Sequence, residues 1–259
     1  MTIRDTPWAD GTPCWIDLMT TDPESAHQFY GELFGWKITV SGPETGAYAM
    51  AEIDGRSVCG IGGIGEGMDH PPVWTTYLAS GDCEATADAV VRAGGNLVAP
   101  TMDVMEFGRM AVAQDPTGGT FGVWQAKQHI GVGLANEPST LSWNELLTRD
   151  YDAAKEFYTA VFSCTYTEIG DENFRYSTIE VEGNTVGGLG GMPAGVPEQV
   201  PAHWRVYFAV GDADAAVETV TRLGGSVLRP AADMPYGRWA DLADPQGAAF
   251  SIIKPASPA

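Results

Sequence analysis

Asp22-Pro23-Glu24-Ser25-Ala26-His27-Gln28-Phe29-Tyr30-Gly31-Glu32-Leu33-Phe34-Gly35-Trp36 is the stretch that decides the fold. Asp22 is a helix N-cap residue, Pro23 suits the first helical position, and Glu24 places an acid in the first turn. Ala26, Phe29, Tyr30, Leu33 and Phe34 then recur at helical spacing and form one apolar stripe. Gly35 closes the helix, because glycine takes the left-handed stop without a steric penalty. Upstream, Cys14 to Thr20 has the apolar content and alternation of a strand. Downstream, Trp36–Val40, Ala47–Ile53 and Val58–Gly63 read as strands, with Asp54-Gly55 as a hairpin turn. The unit is βαβββ.

That unit recurs at once. Trp74–Ala79 reads as a strand, Asp82–Ala93 as a helix closed by Gly94-Gly95, and Asn96–Val98, Arg109–Gln114 and Thr120–Gln125 as strands. The pair of units is then copied. Phe157-Tyr158 and Phe162 repeat Phe29-Tyr30 and Phe34 at an offset of 128, as Trp143 repeats Trp15 and Gly188-Leu189-Gly190-Gly191 repeats Gly60-Ile61-Gly62-Gly63. Tyr236-Gly237-Arg238 repeats Phe107-Gly108-Arg109, and Asp244-Pro245-Gln246-Gly247 repeats Asp115-Pro116-Thr117-Gly118, both at 129. A conserved order of matches at a nearly fixed offset marks a duplicated module. Module one is expected over 11–127 and module two over 139–255. Between them, 128–138 reads as a linker with Gly131, Gly133, Asn136 and Pro138, and the tail from Pro255 to Ala259 as loose chain.

Composition narrows the partners. Acids outnumber bases 34 to 14, for a formal charge of −20. Such a surface repels phosphate backbones and anionic lipid, so neither nucleic acid nor membrane is an expected partner. No apolar run approaches the roughly 20 residues that span a bilayer. Met1 to Asp10 lacks the apolar centre of a signal peptide, and a cytoplasmic monomer or homodimer is expected. Cys14, Cys59, Cys83 and Cys164 form no C-x-x-C pair and read as free thiols packed as small apolar groups.

A strand, an Asp-initiated helix ending in Phe29-Tyr30, then Phe34-Gly35-Trp36, closed by Asp115-Pro116-x-Gly118 before a last strand, resembles the vicinal oxygen chelate superfamily. That superfamily contains glyoxalases, bleomycin-resistance proteins and extradiol dioxygenases. The resemblance covers nearly the whole chain, twice. It implies an α+β fold of two tandem modules, each made of two βαβββ units forming a curved mixed sheet around a cleft. In metal-dependent members a His or Gln stands early on the first strand, a His or Glu on the matching strand of the other unit, and a Glu on the final strand. Here those slots fall on Trp15 and Trp143, on Thr75 and Arg205, and on Gly122 and Ser251. None is a good ligand, and arginine stays protonated, so no metal and no cofactor is expected. His27, His70, His129 and His203 read as ordinary surface histidines.

Strand alternation places Asp17 and Glu145 on the same face as Trp15 and Trp143. Either carboxylate could act as a general base if burial raised its pKa. Trp15, Met19, Thr75, Tyr77 and Trp124 are the expected ligand-facing residues of the first cleft; Trp143, Arg205, Tyr207 and Ser251 are those of the second. Aromatics in that number suit a small organic, planar ligand. Gly60–Gly67 and Gly187–Gly195 read as glycine-rich segments that allow close strand crossing or a mobile flap. Three functions stay open: a metal-free binding protein for a small organic molecule; an enzyme of glyoxalase or dioxygenase/hydroxylase type; and a metal-free acid–base enzyme using Asp17 or Glu145.

Overall fold

Along the first long strand, Ile16 and Leu18 are fully buried on one face while Trp15, Asp17 and Met19 occupy the other. The two-residue period thus creates an outer face for helices and an inner face for a cleft. The computed structural model describes residues 1–42, 46–65, 67–68, 70–171 and 174–256; residues 257–259 of the expected loose tail lie outside that range.

The elements follow in order: β1 (Thr2–Ile3), β2 (Pro13–Thr20), α1 (Pro23–Phe34), β3 (Lys37–Val40), β4 (Ala49–Ile53), β5 (Arg56–Gly63), β6 (Val73–Ala79), α2 (Cys83–Arg92), β7 (Asn96–Val104), β8 (Gly108–Gln114), β9 (Thr120–Ala126) and β10 (Leu134–Ala135). The second half continues with β11 (Leu141–Thr148), α3 (Tyr151–Phe162), β12 (Thr165–Glu168), β13 (Tyr176–Val181), β14 (Asn184–Gly191), β15 (His203–Ala209), α4 (Ala213–Arg222), β16 (Ser226–Met234), β17 (Gly237–Ala243) and β18 (Ala249–Pro255). Two mixed eight-stranded sheets result, ordered β3-β4-β5-β2-β6-β9-β8-β7 and β12-β13-β14-β11-β15-β18-β17-β16. Within each, two βαβββ units meet at an antiparallel central pair, β2 with β6 or β11 with β15.

Among the described residues, each of the four helices starts on an aspartate whose carboxylate accepts from the first turn: Asp22, Asp82, Asp150 and Asp212. Each such cap is worth roughly 0.5–2 kcal/mol. α1 stops on left-handed Gly35, whereas its copy α3 stops on Ser163 in the same conformation. β7 and β16 run well beyond the three residues expected for β7, through Pro100 and Pro230, because both are edge strands with register shifts at those prolines. A missing amide costs no ladder bond there. The expected linker is partly ordered by pairing, β10 lying antiparallel to β1.

The modules do not bury separate cores. One cluster joins α1 and the first half of sheet one to Phe208, Val220, Leu242, Phe250 and Ile252 of module two. The other joins Leu78, Val90, Phe121 and Val123 of module one to α3 and the first half of sheet two. The repeated motifs carry this exchange. Tyr30 Oη donates to Asp244 Oδ2 at 3.1 Å and accepts from Trp74 Nε1 at 3.0 Å. Tyr158 Oη donates to Asp115 Oδ2 at 2.9 Å and accepts from Trp204 Nε1 at 2.9 Å. The other oxygen of each aspartate accepts amides of its own turn, at Thr117 and Gly119 or at Gln246 and Ala248. A Cβ on Gly95 would lie 2.9 Å from Phe157, and one on Gly225 3.2 Å from Phe29, so the second glycine of each pair admits the other module's aromatic.

Tyr30→Phe and Tyr158→Phe each strand a buried indole N–H and a buried carboxylate. Each is expected to cost about 1–3 kcal/mol, read as a lower urea midpoint at unchanged m-value. A midpoint equal to wild type would mean these bonds add nothing.

Candidate functional site

Asp17 is held on β2 beneath two phenols. Tyr48 and Tyr77 donate to its Oδ2 at 3.2 and 3.1 Å, and Trp15 Nε1 donates to the Tyr48 oxygen at 3.1 Å. Asp17 Oδ1 is buried without a partner. Loss of hydration outweighs the two phenol bonds and raises the carboxyl to about 7. Burial, reinforced by that carboxylate, keeps both phenols well above their usual range, so they remain donors.

The glycines of these strands make room rather than a flap. A Cβ at Gly60 would overlap the Tyr48 hydroxyl, one at Gly122 the Tyr77 ring, and one at Gly108 the Trp124 ring. Gly60 to Gly63 and Gly187 to Gly191 lie inside β5 and β14, which corrects the flap reading for that part of each segment. Met19 lies beside Gly62, and Thr75 stands opposite Asp17 in the β2–β6 register. His129 corrects another expectation. It is no surface residue: its ring meets Trp15 edge-on at 4.3 Å and Trp124 at 5.6 Å. Burial lowers its pKa to about 4, and its Nε2 has no partner. The first concave face is therefore filled by its own aromatics and covered by the segment after β9.

The second module repeats the cradle with one more methylene. Glu145 accepts from Tyr176 at 2.9 Å and from Tyr207 at 2.6 Å, and Trp143 Nε1 donates to Tyr176 at 3.0 Å. Its surroundings then diverge. Arg205, opposite Glu145 in register, brings Nη1 to 3.9 Å from Glu145 and 3.3 Å from Asp241. Ser251 Oγ donates to Asp241 at 2.6 Å, and Arg229 lies 3.5 Å from the same carboxylate and over the Trp239 ring. The counterparts of Arg205, Asp241 and Ser251 in module one are Thr75, Val112 and Gly122, so only the second face adds charged side chains around its acid. It is also more open: Arg205 and Arg229 are 21% and 45% exposed in their side chains, and Trp143 is half-buried.

The structure thus gathers Trp15, Asp17 and Tyr77 in one cluster and Trp143, Glu145, Arg205, Tyr207 and Ser251 in the other, with Trp124 reaching the first through His129. Tyr48, Tyr176 and Asp241 were not singled out from sequence. The tyrosines repeat at the module offset of 128 and could have been found that way; Asp241 has no matching acid and gave no signal. The residues do not fit a transition-metal ion. The ligand slots hold indoles, a guanidinium, hydroxyls and a glycine, and among the described residues no group of three or more His, Cys, Asp or Glu could hold one.

Residues 14–123 and 140–252 each match the family model of the Glyoxalase/Bleomycin resistance protein/Dioxygenase superfamily. The chain belongs to this superfamily. It is 45% identical over 260 residues to "Putative glyoxylase CFP32" of Mycobacterium tuberculosis, covering 96% of this chain and 97% of that protein. It is 37% identical over 263 residues to "Anthracycline biosynthesis protein DnrV" of Streptomyces peucetius, covering 96% and 95%. The Mn(II)-bound glyoxalase from Novosphingobium aromaticivorans shares the fold at a TM-score of 0.66 and 13% identity, over 95% of this chain and 82% of that one. Among the described residues no helix is long and apolar enough to cross a membrane.

Asp17 gives a pH signature. Its carboxyl titrates near 4 in an unfolded chain and at about 7 here. Between those values the folded state keeps a proton the unfolded state has lost, so this residue's contribution to stability falls as pH rises. His129 acts oppositely between about 4 and 6.5, where only the unfolded imidazole takes a proton. Asp17→Asn should therefore make the stability of the protein rise more steeply with pH between 4 and 7, by up to about 1.4 kcal/mol per unit. Parallel wild-type and mutant profiles in urea titrations would contradict the buried acid.

Proposed function

We propose that the chain binds a planar organic molecule bearing carbonyl and hydroxyl groups on the concave face of the second module, without a metal ion. The observation that carries this reading is Arg205. Its guanidinium occupies the strand position where the family resemblance puts a metal ligand, pairs with Glu145 and Asp241 through Nη1, and stays 21% exposed in its side chain. Such a group donates to a carbonyl or phenolate oxygen. Trp143 and Trp239 supply flat apolar surface beside it, and Asp241 can accept from a ligand hydroxyl. Arg205 and Arg229 balance Glu145 and Asp241, which favours a neutral, polar aromatic over a strongly charged one. A relative named for anthracycline biosynthesis agrees with this class, since anthracyclines are fused, hydroxylated quinones.

A second reading rests on Asp17. A buried carboxyl near neutrality with one uncommitted oxygen is suited to take a proton from a carbon or hydroxyl acid. It requires the segment carrying His129 to withdraw so that a substrate can reach the acid. Glu145, with both oxygens bonded to phenols, is the weaker base candidate.

Titration with a hydroxyanthraquinone, followed by tryptophan quenching in the presence of a chelator, tests the first reading. Saturable binding is expected, weakened at least tenfold by Arg205→Ala and by Trp143→Ala. Binding that needs added manganese, iron, nickel or zinc, or that is untouched by Arg205→Ala, would sink it. Turnover lost in Asp17→Asn would move the weight to the second reading.

A further inference from the structure

A cavity of about 510 Å³ lies between the N-terminal segment, β10 and the β11–β14 end of the second sheet, and touches the second concave face only at Trp143. That volume suits a small ligand. Its origin is a broken symmetry. In module one the matching hollow is filled by the linker: Val132 N donates to Cys14 O and Gly133 N to Ser57 O, both at 2.8 Å, and Val132 is buried. The counterparts of Cys14 and Ser57 are Ser142 and Thr185, and both line the cavity. The N-terminal segment only walls this hollow, through Arg4 and Trp8, and does not enter it.

The lining chemistry changes together with the filling. Beneath the linker the strand residue is Ile16, fully buried; at the same register beneath the cavity it is Asn144, 3% exposed. Asn144 Oδ1 accepts from Thr76 at 2.8 Å, while its Nδ2 meets no protein partner and is not sealed off. A buried amide N–H group that opens into a cavity asks for an acceptor there. The other polar walls are Thr2, Thr12, Asn136, Ser142, Asn184 and Thr185, together with the carboxylate residue Glu182; the Thr185 hydroxyl donates to Glu180. The guanidinium of Arg4 is committed to the carbonyls of Thr6 and Pro7 and lies against Trp8. Indole surface with amides and hydroxyls, and a carboxylate at Glu182 that can accept from a hydroxyl, matches a ring with an apolar C–H face and a rim of hydroxyls.

From this we infer a second binding site, in the inter-module cavity, for a neutral polyhydroxylated ring such as a sugar or cyclitol. It does not rest on the ligand proposed for the concave face, with which it shares only Trp143 at its border. Asn144 donates to a ring hydroxyl or ring oxygen, and Trp8 covers the apolar face.

The test is titration of the full chain with methyl glucoside and with myo-inositol, followed by amide chemical shifts and tryptophan emission. Saturable shifts confined to the N-terminal segment through Pro13, β10, the start of β11 and the β13–β14 turn are expected. Asn144→Leu removes the donor and Thr185→Trp fills the mouth from an exposed position; each should weaken binding at least tenfold. The second variant decides the matter if the first fails to fold. No saturable response to either compound at tens of millimolar, or wild-type binding in Thr185→Trp, would overturn the assignment.

Discussion

Two hydrogen-bonded chains, Trp74–Tyr30–Asp244 and Trp204–Tyr158–Asp115, tie the halves of this molecule together. Each takes a tyrosine from the helix of one module and an aspartate from the last turn of the other. All six side chains are buried, so the bonds form where an unpaired group would be costly. The helix that opens one module is thereby fixed against the final strands of its copy. The placement of both inner sheet faces depends on that exchange, because the helices hold the sheets from outside and leave the faces carrying Asp17 and Glu145 directed away from the shared cores.

Duplication then permits divergence. The carboxylate, its two phenols and the indole are the same in both halves, so the cradle is part of the inherited design. What surrounds it is not. Module one is uncharged at the positions of Arg205 and Asp241 and carries a cover, with His129 packed on Trp15 and Trp124. Module two has the more open face and carries Arg205, Asp241 and Ser251. Under that cover both phenols bond to one oxygen of Asp17 and leave the other without a partner, whereas Glu145 accepts one phenol on each oxygen beside a guanidinium. The same segment that covers the first face fills the first hollow, and the absence of a comparable filling at the second hollow is what leaves the inter-module cavity.

Much of the fold could be read from local pattern. Phe29-Tyr30, Phe34-Gly35 and Asp115-Pro116-x-Gly118 have fixed offsets to their copies, and strand alternation put Trp15, Asp17, Thr75 and Tyr77 on one face. Helix stripes record that a face is buried but not what buries it, so the partnership of α1 with module two was invisible. The same blindness hid His129, whose burial comes entirely from tertiary contacts. Tyr48 precedes its strand and carries no periodic signal of its own, although its copy at Tyr176 was available for comparison. Asp241 answers to Val112, so matching the repeats concealed it. The edge strands looked short because Pro100 and Pro230 interrupt a pattern that an edge strand with a bulge can absorb.

The most direct measurement of this account is hydrogen exchange of the full chain across a denaturant series, read separately in β2 of the first sheet and β11 of the second. If the crossed tyrosine–aspartate links make the two halves one cooperative body, both strands will lose protection together, with the same free energy and the same denaturant dependence. If one strand exchanges freely while the other remains protected, each module carries its own core and the exchange described here does not hold the protein together.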